Sequence, residues 1–594
     1  MRGKLFRTVL AAASLLTLAV PMAGAADEAR GGAYDDPGFV PREDNRPDPL
    51  TTEQLALKEE ALQAELHGKA YGKVHEVARG QFVQLAREGE GALWTVLGEF
   101  ADLAHNTMPE PDRTVDNTTI WIPDFSRDHY MDMLFGEGPG VNSMRNFYIE
   151  QSSNRYTVHG DVTDWIPVSG PAASYDDDFN SPLGGNQVWY FLDETIDGWY
   201  AAQIAAGKTP AEINDYLSQF DVWDRYDYDG DGNFDEPDGY IDTFQSVHAG
   251  IGNEACSPTC DDWAIWSHSW YAFYNGSGPD GAGPAFNPIG GVRIGDSDYW
   301  VGKYTIQPEN GGVGVFAHEY GHDLGLPDLY DTSGGENGTG FWTLMSSGSW
   351  VDTGQDHIGN APSHMGAWEK FQLGWLNYEV AFAGEKSEHK LGPMETNTKQ
   401  AQGLFVVLPD KAVIERDGSV GYYSNYYVVE YRAYWGYDKN LQVGPYNFGF
   451  LDNPLLGNWV EHLPYQDGML ISYWDTSQRN NQVRRHPGQG LLLPVDAHPT
   501  AMIRADGGVW RNRMQTYDST FTLDPTDALT LHWLSQPSYH PSLPAVSMFD
   551  DRNSYYDPVN PWGSVIVPTT GTQIRIQSIS AQGNLMQVQV RPAK

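Results

Sequence analysis

The chain has 594 residues, too many for one hydrophobic core, so several domains are expected. Apolar residues make up 40% and aromatic residues 13%, a profile of folded, β-rich material that excludes general disorder. A formal charge of −42 gives a surface that repels nucleic-acid phosphates and anionic lipid heads, so neither is an expected partner.

Residues 1–25 combine a basic start (MRGKLFR), an apolar run (TVLAAASLLTLAV) and small residues ending at Ala25, the pattern of a cleaved export signal. The apolar run is short for a bilayer, and no later stretch is long and uncharged enough to span one. A polar, Pro-rich segment, DDPGFVPREDNRPDP, follows. TTEQLALKEEALQAELHG predicts a helix with Thr51 and Gln54 in a capping box, Leu55, Leu62 and Leu66 on one face, and Gly68 at its end. GQFVQLAREGEGALWTVLGEF predicts a β-hairpin around a Gly-rich turn. ADLAHNTMPEPDRTVDN has no periodicity and reads as a linker. Residues 26–112 are thereby expected to form a small unit of their own.

From Asn117 the texture is α+β. TTIWIPDF predicts a strand, SRDHYMDMLF a helix capped by Ser126, VNSMRNFYIEQSS a helix, RYTVHGDV a strand and NQVWYFLDETIDGWYAAQIAAG a long helix. SYDDDF, 174–179, reads as a solvated turn. DYDGDGNFDEPDGYID then places Asp227, Asp229, Asp231, Gly232, Asn233, Asp235 and Asp238 at positions 1, 3, 5, 6, 7, 9 and 12 of a calcium loop. Oxygen donors at alternate residues wrap a hard cation, and carboxylates crowded this closely repel one another without one. Pro237 and Gly239 argue against a following EF-hand helix, so a stand-alone Ca2+ loop is expected, with Asp242 as an extra donor. Cys256 and Cys260 are the only cysteines, and in an exported chain they are expected to close a small disulfide loop.

GVGVFAHEYGHDLGLPDLYD, 312–331, puts His318 and His322 one helical turn apart on the same face, with Glu319 beside them. This H-E-x-x-H arrangement is that of zinc hydrolases: two imidazoles hold Zn2+ and the glutamate serves as general base to a water on the metal. An unbroken helix would carry residue 328 about 9 Å beyond His322 along the axis, out of reach of a shared metal. Gly325 can turn left-handed and Pro327 opposes continuation, so the chain is expected to double back and offer Asp328 as third ligand.

HEYGHDLGLPDLYD followed by FWTLMSSGSW resembles the immune inhibitor A family of secreted bacterial metallopeptidases and, more broadly, metzincin-like zinc proteases. DNRPDPLTTEQ, WTVLGEF and GAWEKFQLGWL extend the resemblance over most of the chain. It implies a zincin-like catalytic domain over 113–376, a pro-segment over 26–112, and Met345 as the methionine of a tight turn beneath the metal. Asp328 departs from the commoner metzincin histidine, which leaves Asp331 and Glu369 as substitutes for the third ligand.

Beyond residue 376 strands dominate: GLFVVLP, NYYVVEYRAYW, GMLISYWD, GTQIRIQSIS and NLMQVQVRP. Residues 377–594 are expected to form one or two sandwich-like β-domains. The Tyr and Trp residues of 422–437 read as core, and His248, His268, His357 and His364 as ordinary histidines. There is no G-x-S-x-G elbow, and neither cysteine has a nucleophile's setting. The chain therefore reads as an exported zinc endopeptidase, made as a precursor and acting on extracellular proteins or peptides. Its rival is a non-catalytic, calcium-stabilised binding protein, against which the intact Glu319 argues.

Overall fold

The structure is a computed structural model that describes residues 45–593, apart from 47, 176–185, 257–259, 261–262, 277, 336–337, 356 and 398. The expected export signal and most of the acidic turn at 174–179 lie outside the described residues.

Helix α1 spans Pro49–Leu66, and its cap is Asp48, not Thr51. The Asp48 carboxylate accepts from the N–H groups of Leu50 and Thr51, and Pro49 fits the first position because its missing N–H has no helical partner. Thr51 lies inside the first turn and donates its hydroxyl back to Asp48 at 2.8 Å. The Gln54 amide, expected in a capping box, instead reaches the Tyr226 carbonyl at 3.1 Å. Ala61, Leu62 and Leu66 bury the other face of the helix in a core shared with Val83, Leu85, Leu324 and Trp375.

The expected hairpin over 80–100 does not form. Val74–Ala78 pairs with Gln81–Gln84, while Gly89–Glu99 (β1) leaves them and enters the main sheet. There β1 lies between Tyr156–Pro167 (β2) and Thr243–His248 (β3), parallel to both. The sheet is completed by His268–Tyr271 (β4) and Lys303–Pro308 (β5), in the order β2-β1-β3-β5-β4. Only the edge strand β4 is antiparallel, to β5. The physical reason lies in ALWTVLG, which is apolar on both faces. Leu93 and Leu97 pack on Phe316, Ala317 and Tyr320 of helix Val313–Asp323. Trp94 and Val96 pack on Phe191, Leu192 and Ile196 of helix α2, Val188–Ala205. A strand covered on both sides belongs inside a parallel sheet. The unit expected over 26–112 is therefore not self-contained, since its last strand is the sheet's interior.

The stretch read as a linker is also tied down. His105 stacks on Trp165 with ring centroids 4.7 Å apart, and the Asn106 N–H donates to Glu309 at 2.7 Å. Asn117 bonds Asn458 and Val460 of the C-terminal region. TTIWIPDF forms no strand; Ile120 packs beside Gly312, where a Cβ would come within 2.6 Å of it.

All five strands expected beyond residue 376 are present: Gly403–Val407, Asn425–Arg432, Gly468–Asp475, Thr572–Ile579 and Met586–Pro592. The first three join Tyr378–Phe382 and Leu492–Pro494 in a five-stranded sheet. The last two join Ser387–Leu391 and Met548–Asp550 in a four-stranded sheet. Residues from both sheets, among them Leu404, Val429, Ile471, Ile574 and Val588, share one apolar core. Of the aromatic residues of 422–437 read as core, Tyr426, Tyr427 and Tyr431 are buried, whereas Tyr422 and Trp435 are exposed. Arg432, fully enclosed and held by Asp438 at 2.6 Å, joins this region to the rest by donating to the Trp342 carbonyl at 2.8 Å. Among the described residues no helix is long and apolar enough to cross a membrane.

Candidate metal centre

Helix α3, Val313–Asp323, is buried along its whole length. Glycines let it pack this closely. A Cβ on Gly321 would lie 2.7 Å from the Met345 sulfur, and one on Gly314 would overlap the Ser349 carbonyl. At its end the Leu326 N–H donates to Gly321 O and the Gly325 N–H to His322 O, both at 3.0 Å. These two bonds are a Schellman stop, and Gly325 takes the left-handed conformation it requires, with φ +95°. Pro327 follows, and the chain doubles back.

The turn brings Asp328 to the histidines. Asp328 Oδ1 lies 3.5 Å from His318 Nε2 and 3.3 Å from His322 Nε2. Two ligands of a tetrahedral metal at ~2.0–2.1 Å are separated by about 3.3–3.4 Å, so these three donors have the spacing of one metal's corner. Both rings are oriented through the other nitrogen. His318 Nδ1–H donates to Leu344 O at 2.9 Å, and His322 Nδ1–H to Leu326 O at 2.8 Å. That choice of tautomer leaves each Nε2 as the lone-pair donor facing Asp328.

The two substitutes are engaged elsewhere. Asp331 accepts from Ser333 and from the Arg484 N–H, which holds the loop after the turn. Glu369 stands on α4, Ala367–Gln372, and accepts from the N–H groups of Met345 and Gly366. Burial pushes its carboxyl up to about 8 even against those two hydrogen bonds. Met345 is fully buried, and its carbonyl accepts the Leu329 N–H at 2.7 Å, which joins the methionine turn to the metal turn.

Glu319 is 2% exposed and, with His318, lines a narrow cleft. Tyr330, Trp266, Ser267, Ser346, Trp350 and Glu254 also line it. None of these six was singled out from sequence. Tyr330, Ser346 and Trp350 flank the recognised motif, whereas Glu254, Trp266 and Ser267 arrive from another loop, so no local spacing announces them. His248, His268 and His364 do not line it; each bonds a neighbouring backbone carbonyl in the core.

In the acidic loop, carboxylate oxygens of Asp227, Asp229 and Asp231 gather within 4.8 Å of one another. Each accepts a loop N–H: from Gly232, Asp231 and Asn233 respectively. Gly232, with φ +82°, packs against Phe82, where a Cβ would come within 2.8 Å. The later positions face elsewhere. Asn233 bonds Glu236, Asp235 pairs with Arg87 at 3.2 Å, and Asp238 accepts the Tyr240 N–H. Burial, then the charge of Asp221, raises the Asp238 carboxyl well above the usual range. Asp242 accepts from Val222 and Trp223. Cys256 and Cys260 are joined, with Cα atoms 5.7 Å apart.

A third group, Asp496, His498 and Asp518, also converges. His498 Nδ1 lies 3.3 Å from Asp518 Oδ2, and its Nε2 lies 3.1 Å from the Pro544 carbonyl. Burial alone would lower this imidazole, but the bond to Asp518 and its charge outweigh that and raise it to about 9. Both ring nitrogens face acceptors, and burial raises the Asp496 and Asp518 carboxyls as well, so His498 and Asp518 form a hydrogen-bonded pair with Asp496 beside them.

Residues 80–376 match the family model of the immune inhibitor A peptidase M6 catalytic domain, and 420–588 that of the immune inhibitor A-like metallopeptidase VEG domain. Immune inhibitor A of Bacillus thuringiensis subsp. alesti is 27% identical over 641 residues, covering 81% of this chain and 90% of that protein. The pre-pro-metalloprotease PrtV of Vibrio cholerae serotype O1 (strain M66-2) is 33% identical over 339 residues, covering 52% of this chain and 34% of that protein. The first match starts before β1, as the sheet order requires. With the metal helix, its turn and both matched regions accounted for, the chain belongs to the immune inhibitor A family of metallopeptidases.

Proposed function

We propose that this protein is a secreted, zinc-dependent endopeptidase, made as a zymogen and stabilised by calcium. The observation that carries the peptidase reading is the three-donor corner of His318, His322 and Asp328, with Glu319 beside it in the lining of a cleft. Two imidazoles and a carboxylate suit zinc, which in such a site supplies the Lewis acidity that acidifies a water and polarises a peptide carbonyl. The proton transfers fall to the chain. Glu319 takes a proton from the attacking water and returns it to the departing amine nitrogen. Secretion rests on the signal-like residues 1–25. The antiparallel edge strand beside the metal helix supports a zincin-like label for the catalytic unit, and the shared core of the two C-terminal sheets supports a sandwich.

Latency is supported by what occupies that edge. Asn45 bridges Ser269 of β4 in parallel, and the Arg46 N–H donates to the Ser269 carbonyl at 2.9 Å. The Asn45 amide reaches Leu326 O at 3.3 Å, the carbonyl that orients His322. An extended substrate would pair on the same edge. The inhibitory part of the pro-segment is therefore the chain before α1, and β1 stays with the enzyme.

Glu319→Ala is expected to keep zinc near one ion per chain while casein hydrolysis falls by about 10²–10⁴-fold. Undiminished hydrolysis would remove the general-base role. Asp328→Ala should lower zinc affinity beyond the roughly 10–100-fold that follows loss of an outer partner of a ligand. Asp331→Ala and Glu369→Ala should stay within that range, and zinc lost only from Glu369→Ala would overturn the ligand set. Melting temperature should rise with free calcium, equivalent to about 2.7 kcal/mol at a hundred times Kd. Asp229→Asn with Asp231→Asn should abolish most of that rise, whereas a calcium-independent melt would leave only a solvated acidic turn. Arg46→Pro removes the N–H that pairs with β4, so the precursor should hydrolyse peptides faster per zinc; an unchanged rate would deny the segment an inhibitory role.

A further inference from the structure

The sheet face covered by the metal helix carries a polar row. Along β1, Leu93 and Leu97 share a core with Phe316, Ala317 and Tyr320 of that helix, so Thr95, two residues from each, stands on the same side. Thr95 pairs with Gln245 of β3, Gln245 with Thr305 of β5, and Thr305 with Ser269 of β4. Residues paired across a sheet share a face, so the four form one line beneath the helix. Gln307, opposite Val247, adds a second amide two residues further along β5. All five residues have 0% exposure.

Among the described residues, Thr95 Oγ1, Thr305 Oγ1, Ser269 Oγ and both amide ends of Gln245 and Gln307 have no hydrogen-bond partner. The underside of the helix offers them none: Phe316 and Ala317 are apolar, and the Tyr320 hydroxyl is engaged by the Tyr156 hydroxyl at 2.5 Å. Bare polar atoms in such number, shut inside an apolar layer, cost as much as the whole stability margin of a domain. Strand spacing says what meets their need. Adjacent strands lie about 4.8 Å apart, the span of one water joined to two groups by bonds of about 2.8 Å. We propose that this row is a binding site for a file of ordered water molecules, one in each gap between neighbouring side chains. The metal helix then rests dry on Leu93 and Leu97 and hydrated across β3, β5 and β4. Hydroxyls and carboxamides both donate and accept, as water does. The row holds no charge to balance an ion, and Lys303, two residues before Thr305 on β5, disfavours a cation.

Two measurements on the full-length protein test this, and neither depends on peptide hydrolysis, so the inference and the peptidase reading fail separately. A crystal structure that resolves ordered solvent is expected to show about three waters along the row, each about 2.7–3.2 Å from two or more of its side chains. A Gln245 amide bonded directly to Thr95 and Thr305, with no solvent peak between them, would overturn the proposal. So would a peak ringed by six or more oxygens at about 2.3–2.6 Å, which is a bound cation. Deuterium relaxation dispersion of the solvent counts buried waters of long residence. Gln245→Leu with Thr305→Val should lower that count by about two relative to wild type, because both substitutions remove the groups that hold water. An unchanged count in the folded variant would also overturn the proposal, and the wild-type crystal structure decides the matter if the variant fails to fold.

Discussion

Two backbone carbonyls, Leu344 O and Leu326 O, set the candidate metal centre. Each accepts an Nδ1–H, and through that bond each fixes the plane and tautomer of a histidine whose Nε2 faces Asp328. Neither carbonyl belongs to a regular element, so each must be held by something else. Leu326 O is placed by the Schellman stop at Gly325, and Leu344 O by the methionine turn. That turn is in turn clamped by Leu329 N–H on Met345 O and by Glu369 on Met345 N–H. Gly321 leaves the room that the Met345 sulfur fills, so helix and turn can approach. Outer partners of metal ligands typically act this way, raising ligand basicity and removing rotational freedom before the ion arrives.

The C-terminal β-region takes part in the same bracing. The Asn481 amide donates to Leu329 O at 2.8 Å, and the Asn512 amide to Gly338 O at 2.6 Å. Both carbonyls lie in the loop between Asp328 and Met345. Arg432 holds the next segment through Trp342 O, with its charge balanced by Asp438 and Glu430. A buried guanidinium is weak evidence for stability in itself, but removing one partner of such a group typically costs about 3–5 kcal/mol. The β-region is thus a structural wall of the catalytic half, not an appendage on a linker.

What the sequence disclosed follows from how local each signal is. The metal helix, its stop and the return of Asp328 are written within HEYGHDLGLPD, where spacing along the chain nearly determines spacing in three dimensions. The acidic loop was legible for its first three aspartates for the same reason. Its later positions answer to distant partners, Arg87 for Asp235 and the buried environment of Asp221 for Asp238. GALWTVLG was misread because a short apolar run has no period that separates a hairpin arm from a strand covered on both faces. Thr51 and Asp48 are both good cap residues three positions apart, and Pro49 between them decided the matter. The linker-like stretch ending at Asn117 lacks periodicity yet is anchored by the Glu309 carboxylate on the Asn106 N–H and by the Asn117 side chain on the Val460 backbone, which no local pattern records. Glu254 was invisible because a cleft wall is assembled only by the fold.

The interior position of β1 has a consequence for how the molecule comes into being. Leu93 pairs with Thr243, and Gln245 with Thr305, so the sheet closes from strands far apart in the chain. Such non-local parallel pairing is slow, because the entropy of closing long loops is lost before the contacts that reward it are made. During synthesis β1 emerges well ahead of its partners, with Leu93, Trp94, Val96 and Leu97 lacking both faces of their cover. Strand β5 directly precedes the metal helix, so the last parallel strand and the helix that covers the sheet arrive together. A formed metal corner therefore has to wait at least for β5 and the helix that follows it, well after β1 has emerged.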